Sequence, residues 1–77
     1  MDATPEELLG LQVIGPAGDR IGTVVDVGLF NWRQPKFLLV QPERATGLLR
    51  VELGDVEDVA PAGIRLSVPP RPASLPA

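Results

Sequence analysis

The sequence predicts an all-β fold: a small barrel or rolled sheet of about five to six short strands behind one short N-terminal helical turn. Three observations carry this. Apolar and polar residues alternate over short runs, the period of a strand with one buried face. Turns rich in glycine and proline separate those runs. The chain has 77 residues, enough for one domain, and a sheet this small gains from rolling up because closure removes exposed edges.

Thr4-Pro5-Glu6-Glu7 is a helix start. Thr4 can cap, Pro5 suits the first helical position and Glu7 completes a capping box. Gly10 stops the helix after one turn, leaving Leu8 and Leu9 to plug the end of a sheet. Leu11 to Ile14 is a short strand, and Gly15-Pro16-Ala17-Gly18-Asp19 is a turn. Arg20 to Phe30 is the main strand. Strict alternation puts Ile21, Thr23, Val25, Val27 and Leu29 on one face and Gly22, Val24, Asp26, Gly28 and Phe30 on the other. Two glycines inside a strand mark a bulge, a bend or a close backbone approach, and a bulge near Gly22 would switch which valines point inward.

Asn31-Trp32-Arg33-Gln34-Pro35 is a loop. Lys36 to Gln41 is a strand apolar on both faces, with Phe37 and Leu39 on one and Leu38 and Val40 on the other. Pro42 to Gly47 is a second polar loop. In the strand Leu48 to Leu53, Leu49, Val51 and Leu53 point inward. Gly54 to Val59 is acidic and reads as a turn or a single 3₁₀ turn. After the turn Pro61-Ala62-Gly63, Ile64, Leu66 and Val68 form the inner face of a last strand. The domain therefore spans residues 1–68. Residues 69–77 form a flexible proline-rich tail, four prolines in nine residues, with no part in the sheet.

Composition excludes several functions. There is no cysteine and no histidine, which removes disulfides, Cys/His zinc sites, thiol nucleophiles and histidine acid–base catalysis. The net charge is −3 and the seven basic residues are spread along the chain, which disfavours nucleic acid as a partner. No apolar run approaches the roughly 20 residues that span a bilayer, and the acidic start Met1 to Glu7 differs from a signal peptide. No membrane insertion and a cytoplasmic location are expected. No cofactor is called for, and the chain reads as a non-enzyme.

Few residues remain as candidate sites. Asp55, Glu57 and Asp58, with Glu52 nearby, form the carboxylate cluster, without the spacing of a calcium loop. Asp26, mid-strand among apolar residues, reads as a structural hydrogen-bond acceptor. Trp32 is either a lid over the barrel mouth or an exposed anchor, tryptophan and arginine being enriched at interaction hot spots. One small interior has no room for every apolar side chain of the central strands. Val24, Phe30, Trp32, Arg33, Phe37, Leu38 and Val40 are therefore the candidate interaction surface, and a homodimer is expected.

The segment Leu9 to Val27 resembles the opening of the PRC-barrel family, through Leu9-Gly10, Val13, Gly18, Ile21-Gly22, Val24 and Asp26. Phe37-Leu38-Leu39-Val40 is similar to that family's next strand. Leu53-Gly54-Asp55-Val56 and Ile64-Arg65-Leu66-Ser67-Val68 are similar to its closing turn and strand. The Asn31 to Gln34 loop and the proline tail depart from the pattern. The resemblance covers residues 8 to 68 and implies a stand-alone small β-barrel used for protein contacts, with no catalytic residue to carry over. Similar domains form the cytoplasmic part of the photosynthetic reaction centre H subunit and the C-terminal part of the ribosome maturation factors. The expectation is a self-associating, non-catalytic interaction or adaptor module with an unidentified protein partner. A small ligand- or ion-binding protein using the Trp32 loop or the Asp55 to Asp58 turn is the alternative. A ribosome-associated accessory factor comes third, disfavoured by the acidic balance.

Overall fold

The computed structural model describes residues 4–29, 31 and 34–72. It is mostly β, with one short helix, α1 (Pro5–Leu8), and one seven-stranded sheet. The strands are β1 (Gln12–Ile14), β2 (Arg20–Leu29), β3 (Pro35–Pro42), β4 (Leu49–Glu52), β5 (Val56–Ala60), β6 (Gly63–Leu66) and β7 (Arg71–Pro72). Their order is β5-β6-β1-β2-β3-β4-β7, and only the β1–β6 pair is parallel.

The helix start is as the sequence predicts. Thr4 accepts from the Glu7 amide at 3.3 Å, and Gly10 beyond the C-cap has φ +84°. Gly10 donates to the Val24 carbonyl and Val24 to the Leu11 carbonyl, both at 2.9 Å, so the helix feeds directly into the β1–β2 ladder. Leu8 is fully buried, but Leu9 is 46% exposed. One helical turn cannot aim two adjacent leucines at the same core, so only Leu8 plugs the sheet.

Chain connectivity makes the sheet curl. β4 and β5 lie five positions apart in the sheet order, about 24 Å in a flat sheet at ~4.8 Å per step. Glu52 and Val56 are joined through the 3₁₀ turn Leu53–Asp55, a path of at most about 14 Å. Ser67 fastens this turn to the end of β6, its amide and hydroxyl both donating to the Asp55 carbonyl at 2.8 and 3.1 Å. The hydrogen-bond ladder does not close, however, and β5 and β7 remain as edges. Of the two expected forms, barrel and rolled sheet, the ladder is that of a rolled, open sheet, and it has seven strands where five to six are expected.

Inside the roll lie Leu8, Val13, Val24, Leu38, Val40, Val51, Ile64 and Leu66, with Leu11, Ile21, Val27, Leu49, Leu53, Val56 and Val59 packed against them. No polar or charged residue is buried among the described residues. The inward residues of β2 change parity partway along. Val24 faces Val40, then Val27 faces Leu38, with a bulge at Val25 between them. Strict alternation is thus corrected: Gly22 and Val24 point in before the bulge and Val27 after it. Val25 is left 49% exposed.

Two strands lie where loops or a tail are expected. Val56 to Ala60 pairs with β6 although the sequence reads as an acidic turn. Arg71 and Pro72 pair with Arg50 and Leu49 of β4, so the proline-rich segment does join the sheet. Proline is tolerated there because its missing N–H falls on an edge strand.

Candidate functional site

The bulge determines what β2 and its neighbours show to solvent. Residues directly opposite in an antiparallel ladder share a face. Asp26 stands opposite Leu39, and Leu39 opposite Arg50. Arg50 is paired in turn with Arg71. One row across the outside of the sheet therefore reads Asp26, Leu39, Arg50, Arg71. The next row is Gly28, Phe37, Glu52. Val25, pushed outward by the bulge, adds an apolar side chain beside Asp26.

Asp26 holds the bulge, accepting from the Val27 amide through Oδ1 at 2.8 Å. This is the structural acceptor role expected of it, at an exposed position rather than a buried one. Phe37 lies across Gly28, where a Cβ would run into its ring. Arg50 stacks over that ring, its Cζ 3.9 Å from the centroid, while its Nε donates to Glu52 Oε1 at 2.7 Å. The face is thus a hydrophobic strip, Val25, Leu39 and Phe37, with Asp26 on one flank and, on the other, Arg50 and Arg71 together with Glu52, which is paired to Arg50.

Of the seven residues expected to form an interaction surface, Val24, Leu38 and Val40 are in the chain's own core. The doubly apolar strand is satisfied on its inner side by the roll and does not need a second chain there. Phe37 is half-buried on the outer face. Phe30, Trp32 and Arg33 lie outside the described residues, as does the choice between lid and anchor for Trp32. Asn31 Oδ1 accepts from the Gln34 amide at 3.0 Å. Val25, Leu39, Asp26 and Arg71 complete the outer face; the sequence pattern conceals Val25, because the bulge in β2 reverses its parity, whereas the alternation of β3 already places Leu39 on the same face as Phe37.

Among the described residues, no three carboxylates come close enough to hold a metal ion. Glu57 sits at a bulge in β5 and Asp58 opposite Arg65, which disperses the acidic cluster along an edge strand. Open hollows indent the surface formed by the described residues. One of about 310 Å³ is lined by Glu7, Leu11, Val59, Ala60 and Pro61. Another, of about 270 Å³, lies beside the exposed Arg20–Glu43 pair, 3.8 Å apart. A third, of about 350 Å³, lies between the β3–β4 loop and Pro72. They line up no nucleophile with a base, the sequence having no histidine or cysteine. No helix among the described residues is long and apolar enough to cross a membrane. The sequence matches no protein-family model, and no curated protein is significantly similar to it.

Proposed function

We propose that this domain is a non-catalytic protein–protein interaction module of PRC-barrel type, and that it self-associates through the outer face of β2, β3 and β4. The carrying observation is the row Asp26, Leu39, Arg50, Arg71 beside the exposed Val25. Face-to-face packing about a two-fold axis running along β3 would place Leu39 against its own copy near the axis. The same operation exchanges the flanks, so Asp26 of each chain meets Arg50 and Arg71 of the other. Asp26 makes one side negative, while Arg50 and Arg71 outweigh Glu52 on the other, so the two sides carry opposite net charge about an apolar centre and are self-complementary under that operation, as a two-fold interface requires. The polar fraction of this face and the modest size of the strip point to a micromolar dimer, not an obligate one.

The PRC-barrel reading rests on the sequence pattern quoted above and is compatible with a strongly curled small sheet. Light scattering over a concentration series tests the self-association. The wild-type chain should approach twice its 8.2 kDa mass at tens of micromolar, and Leu39→Glu should remain at the single-chain mass. A wild-type mass that stays at one chain throughout contradicts the proposal.

A further inference from the structure

The two edges of the sheet differ chemically. β7 is blunted, since Pro70 and Pro72 flank Arg71 and neither has an N–H to offer. β5 contains no proline and, among the described residues, pairs only with β6. One row of its backbone N–H and C=O groups therefore faces away from the sheet, the arrangement that accepts an added strand. At its C-terminal end is the hollow of about 310 Å³, walled by Leu11, Val59, Ala60 and Pro61.

Charge identifies the occupant. Asp55 precedes the strand, Glu57 and Asp58 lie in it, and Glu7 stands on the rim of the hollow, against a single arginine, Arg65, across the ladder from Asp58. A second copy adding antiparallel to β5 in the register centred on its acidic pair would bring Glu57 of each chain opposite Asp58 of the other, and like charges directly opposite destabilise a ladder. The same carboxylates favour a cationic strand. We propose that β5 receives an extended basic segment of another protein, alternating Lys or Arg with aliphatic residues, as an eighth strand. An aliphatic side chain fills the hollow while the cations face Glu57 and Asp58. This surface is separate from the outer face of β2 to β4 and does not depend on dimerisation.

The test uses the full chain labelled with ¹⁵N and a capped hexapeptide alternating lysine and valine. Saturable binding is expected, with shift changes concentrated in 56–60 and around the hollow, and with slowed amide exchange in β5. Glu57→Gln combined with Asp58→Asn should weaken binding about tenfold, the loss expected for two solvent-exposed ion pairs. A peptide with alternate backbone nitrogens methylated, or one alternating glutamate and valine, should not bind. Absence of binding at millimolar peptide, equal binding of the methylated peptide, or shifts centred elsewhere would overturn the proposal.

Discussion

Gly22→Ala and Gly28→Ala place the same methyl group at two glycines of one strand, and the structure predicts different outcomes. At Gly22, which is buried, a Cβ would collide with the Gln41 carbonyl oxygen, with the Gln41 carbonyl carbon 2.8 Å away and the Pro42 Cα 2.9 Å away. All three are backbone atoms of β3, so relief requires the β2 and β3 backbones to part locally. Overpacking typically costs about 1–3 kcal/mol, and a clash with backbone belongs at the upper end, about 3. Reduced freedom of the unfolded chain returns about 0.4–1 kcal/mol for Gly→Ala, leaving a net loss of about 2 kcal/mol. In a domain of this size that lowers Tm by roughly 8–16 °C. At Gly28 the colliding atoms are those of the Phe37 ring, the far end of a half-buried side chain that can swing away. The loss is then the Arg50 stack, about 0.5–1 kcal/mol at an exposed site, and the unfolded-state gain nearly cancels it. Urea unfolding followed by circular dichroism measures both variants. A Gly22→Ala protein as stable as wild type, or one more stable than Gly28→Ala, would refute the close-approach geometry.

Leu38→Ala should cost about 2–5 kcal/mol as a core truncation, whereas Leu39→Ala, on the outer face, should cost less than about 1 in the monomer; the same urea titrations decide this. Truncation after Val68 removes the β7 pairing with Leu49 and Arg50. It should lower stability by about 1 kcal/mol, and Tm by roughly 4–8 °C, as a calorimetric scan would show; an unchanged Tm would mean that β7 contributes nothing.

Much of the inner architecture was legible because it follows from local chemistry. The cap at Thr4, the stop at Gly10, the two-residue periodicity around Val51, and the inward Ile64 and Leu66 all depend on residues within a few positions of one another. What escaped depends on partners distant in sequence. Val25 alternates with Val27 on paper, and only the register of β2 against β3 reveals that one extra residue is accommodated between Val24 and Asp26. Val56 to Ala60 has the composition of a turn, since Glu and Asp have poor strand propensity. Its strand state comes from the ladder with β6, and its charges suit an edge. Arg71 and Pro72 were hidden by their prolines for the same reason. The sequence of β3 reads as two-sided, but which side the fold itself covers is not written in it: Val24, Leu38 and Val40, candidates for an interaction surface, lie in the core because the sheet rolls around them. The outer row of Asp26, Leu39, Arg50 and Arg71 draws on four strands and has no signature in any one of them.

Self-association through the outer face of β2 to β4 is tested most directly by intermolecular nuclear Overhauser effects in a one-to-one mixture of isotope-labelled and unlabelled chains. The predicted result is a set of contacts between chains from the methyl groups of Leu39 to those of Leu39 and Val25. Intermolecular contacts confined to other surfaces, or none at a concentration of about a millimolar, would contradict it.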